Sequence, residues 1–293
     1  MHMGTKEDRE TSYAVLDAYV DAGGRFIDTA NIYATWIQGG SGGESEKLLG
    51  HWMKERSNRS ELFVASKVGF PYQDVTQGLR KSQIVEECDK SLSRLGIETI
   101  DLYYAHVDDR KTPMEESLAA FDSLVQSGKV RYLGASNFPS WRLAEARLTS
   151  AANGWQPYSC IQQRHTYLRP KPGASFAPQL AATDELIDYC STHRITLLAY
   201  SPLLGGAYVR DDKAIGNQYA GEDSSRRLEA LDAVAGEVGA GRNEVVLAWM
   251  MLQTPPVIPV TSASSVAQLT ENLKAFEVSL SPEQIDRLSA AGA

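Results

Sequence analysis

The chain has 293 residues, 43% hydrophobic and 23% charged, enough to bury a large core, and α/β barrels of this length are commonly one domain. Its 29 basic and 37 acidic residues give a net charge of −8, which argues against a polyanion-binding surface for nucleic acid or an anionic membrane. Cys88, Cys160 and Cys190 are odd in number and widely spaced, without CxxC or His-linked metal spacing, and no signal peptide or membrane-length apolar run is evident; a reducing, cytoplasmic setting is expected.

In chain order, an amphipathic helical pattern over 8–22 ends at Gly23-Gly24 and gives way to a β-branched and aromatic run over 25–30. A helix over 44–57 precedes a strand over 62–68, and a helix over 80–95 precedes one over 101–107. Pro113 introduces a helix over 115–127 that Gly128 should end, followed by a strand over 130–136 and a helix over 139–152. Strands over 160–167, 196–201 and 257–260 alternate with helices near 184–193, 226–239 and 243–253, and helices near 265–275 and 282–290 close the chain. Strict alternation implies parallel strands buried on both faces. The expected fold is a single (β/α)8 TIM barrel over 1–293.

That barrel wants eight strands, and seven can be placed. Only Met1-His2-Met3-Gly4 precedes the first helix, so the first strand is either a stub or lies upstream of Met1 in the natural chain.

Barrel chemistry belongs at the C-terminal strand ends. Asp28 ends one strand, Tyr33 follows it by five residues, Lys67 ends the next and His106 the one after. An ammonium beside a phenol favours the phenolate, and a carboxylate holds the ammonium in place, so Tyr33 could act as a general acid near neutral pH. Each residue alone has an ordinary reading: Asp28 as a cap or turn residue, Lys67 as a solvated cation, His106 as a core histidine, Tyr33 as packing. Their shared placement on adjacent strand ends separates the two readings.

With these residues in place, the chain resembles the aldo-keto reductases. The family's Asp, Tyr, Lys and His fall on Asp28 and Tyr33 in Phe26-Ile27-Asp28-Thr29-Ala30-Asn31-Ile32-Tyr33, on Lys67 in Ala65-Ser66-Lys67-Val68, and on His106 in Asp101-Leu102-Tyr103-Tyr104-Ala105-His106. Further similar blocks are Gly128-Lys129-Val130-Arg131-Tyr132-Leu133-Gly134-Ala135-Ser136-Asn137-Phe138, Tyr200-Ser201-Pro202-Leu203 and Gln268-Leu269-Thr270-Glu271-Asn272-Leu273, so the likeness runs nearly end to end.

The resemblance implies reduction of an aldehyde or ketone by a nicotinamide cofactor bound in extended form, with Tyr33 as proton donor, tuned by Lys67 and Asp28, and His106 orienting the carbonyl. It implies that Ser136, Asn137 and Gln162 hold the carboxamide, that Tyr200 stacks on the ring, and that Ser201 and Leu203 line the pyrophosphate path. The segment from Ser262 to Asn272, with Ser264, Gln268 and Glu271, would cover the adenosine half, aided by a helix starting near Ser265. Without the family these residues read as turns and solvated helix positions. No G-x-G-x-x-G follows a strand, and Gly39-Gly40-Ser41-Gly42-Gly43 is expected to form a mobile loop instead.

Where the family often places Arg or Lys for the 2′-phosphate, Ser262-Ala263-Ser264-Ser265 offers only hydroxyls and backbone donors; NADPH remains the expectation, with NADH as the alternative. After Gln162 the sequence Gln163-Arg164-His165-Thr166-Tyr167 departs from the usual pattern. Trp36, Trp141, Arg164 or His165, with Asp108, Asp109 and Arg110, could line a pocket for an aromatic or sugar-like carbonyl. Two other classes compete. A cofactor-binding regulatory module would resemble channel β subunits, and a metal-dependent hydrolase would use His106, Asp108, Asp109 and Asp28, though no H-x-H pair supports the latter.

Overall fold

The computed structural model describes residues 3 and 5–292. The chain forms two compact units, one running to Ile161 and including Ser264–Val266, the other comprising Gln162–Ala263 and the residues from Ala267 onward.

The first unit begins with helix α1 (Arg9–Asp21), whose N-cap Asp8 accepts a hydrogen bond from the Thr11 N–H. It continues through β1 (Phe26–Asp28), α2 (Glu44–Arg56), β2 (Phe63–Val68), α3 (Lys81–Leu95), β3 (Ile100–Ala105), α4 (Met114–Gln126), β4 (Val130–Ser136), α5 (Ser140–Asn153) and the start of β5 (Tyr158–Arg164). The second unit holds the end of β5, α6 (Asp184–His193), β6 (Thr196–Tyr200), α7 (Glu222–Val238), α8 (Arg242–Met251), β7 (Ile258–Val260), most of α9 (Val266–Leu273) and α10 (Pro282–Ala290). Helix α10 opens with Ser281 and Gln284 in reciprocal side-chain to backbone bonds, with Pro282 in its first turn.

Among the described residues there are seven strands, following one another in chain order from β1 to β7. The stub considered for an eighth falls mostly on Met1, His2 and Gly4, outside the described residues; Met3 makes an isolated parallel bridge to Glu7.

Every residue of β3 is buried, as are all but the first of β2, as parallel strands covered on both faces require. Asp28 lies beside Ala65, Lys67 beside Tyr104, and Tyr104 beside Gly134. Because side chains alternate along a strand, Lys67, Tyr104 and His106 share one side of their strands. Gly134 has a steric reason to lack a side chain: a Cβ there would lie 2.6 Å from the Tyr104 ring.

Two elements differ from expectation. The strand expected over 160–167 is Tyr158–Arg164, because the chain turns away where Thr166 Oγ1 donates to the Leu168 carbonyl at 2.5 Å. Tyr167 then packs edge-on to Trp249, ring centroids 5.3 Å apart, and its hydroxyl donates to the Arg227 carbonyl at 2.9 Å. The glycine run is also more than a free loop, since Gly42 and Gly43 are buried. A Cβ on Gly43 would meet the Arg94 side chain at 2.5 Å.

Candidate active site

The fold of the first unit brings the four strand-end residues together. The Lys67 side chain is fully buried and its ammonium donates to Asp28 Oδ2 at 2.5 Å, to the Thr29 carbonyl at 2.7 Å and to the Tyr33 hydroxyl at 3.1 Å. Tyr33 also donates to Asp28 Oδ2 across 3.4 Å. The ammonium lies 4.9 Å from the Tyr33 ring centre and 5.5 Å from that of Tyr104. His106 meets Tyr33 edge-on with ring centroids 6.2 Å apart.

Burial pulls the Lys67 ammonium below the ordinary lysine range, opposed by the charge and hydrogen bond of Asp28 and then by the charge of Glu46. His106 is held well below the usual imidazole range, first by burial and then by the Lys67 charge, so its ring is neutral at physiological pH. Its Nδ1 is buried and has no hydrogen-bond partner among the described residues.

Of the other groups at the site, Trp36 is expected from the sequence as a pocket residue, whereas Phe70 and Glu46 carry no signal in the local sequence. Phe70 packs edge-on to His106 at 4.7 Å, and Trp36, 52% exposed, lies edge-on to Tyr33 at 5.9 Å. On the opposite side of β2 from Lys67, Ser66 Oγ donates at 2.5 Å to Glu46 Oε1, while Arg94 Nε donates to Glu46 Oε2 at 2.6 Å. Glu46 is completely buried. An acidic residue three positions into α2 looks like an ordinary helix-start charge; only the fold reveals it as the partner of a strand serine twenty positions away.

The polar residues expected to line a pocket beside His106 are otherwise engaged. Asp108 pairs with Arg142 at 2.9 Å and Arg110 at 3.3 Å, and both guanidiniums lie over the exposed Trp141 ring. Asp109 accepts from the Leu79 N–H, the Lys111 N–H and the Thr112 hydroxyl. Among the described residues, no three His, Cys, Asp or Glu side chains cluster as metal ligands.

The residues expected to hold a cofactor are distributed as follows. Ser136 ends β4 in the first unit and Asn137 follows it, both buried; Asn137 is left-handed, with φ 57°, and its Nδ2 donates to the His106 carbonyl at 2.9 Å and to Ser136 Oγ at 3.1 Å. In the second unit Gln162 is buried on β5 and Tyr200 half-buried at the end of β6. Beyond Tyr200, Ser201 and Leu204 take φ values of 56° and 50°, and Gly205 and Gly206 are also left-handed, with Leu203 between them. Turns mixing right- and left-handed residues form concavities that suit anions. Ser262, Ser264, Gln268 and Glu271 are exposed and Asn272 is half-buried. Helix α9 starts at Val266, one residue after the expected Ser265. Within the first unit, the buried Ser136 hydroxyl and Asn137 amide offer the polar groups a carboxamide needs; within the second, the half-buried Tyr200 ring is followed by a turn that favours an anion, and each set taken by itself suits a part of a nicotinamide dinucleotide.

Arg164 and His165 border a cavity of about 680 Å³ within the second unit, along with Arg227, Trp249 and Phe176. Arg164 lies over Phe176 and Tyr200 and donates to Gln179 at 2.9 Å. Arg227 donates to the carbonyls of Tyr167, Leu288 and Ser289, and His165 stacks on Trp249 at 6.1 Å.

All 293 residues, 1–293, match the Aldo/keto reductase family, and the chain belongs to that family. The consecutive parallel strands with intervening helices are those of its (β/α)8 barrel, one strand short of eight among the described residues. Similar proteins include the "Uncharacterized oxidoreductase YrpG" of Bacillus subtilis (strain 168), 30% identical over 306 residues, covering 99% of this chain and 89% of the relative. The aryl-alcohol dehydrogenase [NADP(+)] of Phanerodontia chrysosporium is 30% identical over 317 residues, 98% of this chain and 77% of its own. Norsolorinic acid reductase of Aspergillus flavus is 30% identical over 302 residues, 97% and 72% respectively. The chain is thus an NAD(P)H-dependent aldo-keto reductase, an oxidoreductase acting on carbonyl compounds.

Proposed function

We propose that this enzyme reduces aromatic aldehydes or ketones to alcohols with NADPH, using Tyr33 as the proton donor. The observation that carries this reading is the fully buried Lys67 side chain, its ammonium placed 2.5 Å from Asp28 and 3.1 Å from the Tyr33 hydroxyl. When bound, a reduced nicotinamide supplies the hydride for the carbonyl carbon. Ser136, Asn137 and Gln162 would hold its carboxamide, Tyr200 its ring, and Ser201 and Leu203 its pyrophosphate. Ser262, Ser264, Gln268, Glu271 and Asn272 would meet the adenosine half.

Tyr33 gives its proton to the carbonyl oxygen as negative charge develops there. The phenolate left behind is stabilised by the adjacent ammonium, and Asp28 keeps that ammonium in position. Preorganised charge of this kind acts more strongly where water is excluded. His106, neutral at working pH, donates a hydrogen bond to the same oxygen and orients the carbonyl.

An aromatic substrate is favoured by the surroundings of Tyr33 and His106: the exposed Trp36 ring on one and the Phe70 edge on the other. Two relatives bear names that refer to aryl alcohols and to norsolorinic acid.

The test is NADPH and NADH titration by fluorescence, together with turnover on benzaldehydes, aliphatic aldehydes and a hexose. NADPH should bind more tightly, benzaldehydes should turn over fastest, and Tyr33→Phe should lower kcat by about 10³-fold or more while leaving NADPH affinity within a few-fold. Cofactor binding without turnover of any carbonyl would point instead to a regulatory module.

A further inference from the structure

Glu87 lies on α3, away from the four clustered residues, and its side chain is 1% exposed. One of its oxygens, Oε2, accepts from Asn31 Nδ2 at 2.8 Å and from the Tyr72 hydroxyl at 2.5 Å. The other, Oε1, accepts from Lys90 Nζ at 2.7 Å. Burial makes this carboxyl a weaker acid, but the hydrogen bonds from Lys90, Tyr72 and Asn31 outweigh it and hold its pKa below the usual glutamate range, so the group stays ionised.

The two neutral donors come from the two segments that matter most. Asn31, fully buried, lies between Asp28 and Tyr33, and its backbone N–H points at the Lys67 carbonyl across 3.5 Å. Tyr72 stands five residues beyond Lys67 in the loop that follows β2, pinned by paired backbone bonds with Val75 of 3.0 and 2.8 Å. Gly42 closes the arrangement from the loop after Tyr33. Its φ is +90°, and a Cβ there would lie 2.7 Å from the Tyr72 ring and 3.0 Å from the Asn31 carbonyl. A single carboxylate oxygen thereby joins the segment bearing Tyr33 to the segment extending from Lys67.

A buried carboxylate whose ion-pair partner, Lys90, is half-exposed is a costly way to fill space even with the Arg94 charge acting on it, and apolar residues would pack there at least as well. What a carboxylate adds is an oxygen able to accept two donors at once in fixed directions.

We propose that Glu87 is a positioning residue for carbonyl reduction: by holding Asn31 and Tyr72 on one oxygen, it fixes the Tyr33 hydroxyl relative to the Lys67 ammonium. The inference rests on the reading of Tyr33 as the proton donor. Small displacements of reacting groups cost rate far more than they cost binding.

The conservative and the disruptive variants separate. Glu87→Gln retains a carbonyl oxygen for both donors and gives up only the contact with the half-exposed Lys90, whose ammonium an amide N–H cannot bond. It should keep kcat within about threefold, whereas Glu87→Ala should lower kcat by about 10²-fold with the NADPH Kd within twofold. Tyr72→Phe, which leaves Glu87 in place and removes one donor, should fall between them. Glutamine as damaging as alanine, or cofactor affinity falling in step with kcat, would overturn the proposal.

Hydrogen exchange of the peptide spanning 29–43 supplies a readout independent of turnover. It should quicken in Glu87→Ala and Tyr72→Phe and match wild type in Glu87→Gln; equal exchange in all four proteins would refute the clamp. Should the wild-type enzyme reduce no carbonyl, the reading of Tyr33 fails, and the exchange experiment still decides whether Glu87 fastens the two segments.

Discussion

Lys67 and Asp28 form an ion pair of 2.5 Å in which the lysine side chain has no solvent exposure and the aspartate only 7%. Neither charge is tolerable there without the other. Removing one partner of such a pair typically costs about 3–5 kcal/mol, because the remaining charge stays buried and unpaired. Asp28→Asn and Lys67→Met should each lower unfolding free energy on that scale, while the double variant should recover most of the loss, leaving a deficit of about 1–2 kcal/mol from the abandoned Thr29 carbonyl. Urea unfolding of the four proteins measures the coupling. Simple addition of the two single losses would show that the pair is not acting as a unit. Activity should be lost in all three variants.

His106 should not appear in the pH dependence of the reaction near its ordinary pKa. Burial, and then the Lys67 charge, holds it well below 6.5, so from about pH 6.5 upward, where an ordinary histidine titrates, the ring is already neutral and undergoes no titration. Profiles of kcat against pH for wild type and His106→Gln should therefore have the same shape in that window and differ in height. A wild-type limb centred near 6.5 that vanishes in the variant would contradict this protonation state.

His165 should be visible in stability instead. Burial, followed by the Arg169 charge, lowers its pKa from 6.5 to about 4. A histidine depressed in the folded state stays neutral while the unfolded chain takes up the proton, so the unfolded state binds more protons between about pH 6.5 and 4 and stability falls on acidification through that window. Above pH 6.5 the residue contributes no such penalty. His165→Phe, which keeps a ring against Trp249, should lose less stability than wild type between pH 7 and 4, by up to about 3 kcal/mol. Denaturation midpoints that fall in parallel for the two proteins would remove His165 as the cause.

The strands and their order were legible in the sequence because alternation of buried runs and amphipathic helices is a local signal, and so were Asp28, Tyr33, Lys67 and His106, each placed by the strand end before it. What escaped was set by distance along the chain. Glu46 meets Ser66 and Glu87 meets Asn31 across separations of 20 and 56 residues, and nothing around either glutamate distinguishes it from a solvated helix residue. Asp108 and Asp109 sit beside His106 in sequence, but that adjacency says nothing of the Arg142 guanidinium and the Thr112 hydroxyl that their carboxylates meet in the fold. The glycine run reads in sequence only as φ freedom, whereas the fold gives Gly42 and Gly43 a packing reason to lack side chains, since Tyr72 and Arg94 lie against them.

Gly134 gives the clearest case of a constraint transmitted sideways through the sheet. It sits beside Tyr104, whose ring lies against the Lys67 ammonium, and it has no functional group of its own. A methyl group there would press on the tyrosine and through it on the cation, so a residue incapable of any chemistry is as intolerant of change as those that perform it. In a mutational survey read by turnover alone, that position would be mistaken for a member of the reacting group.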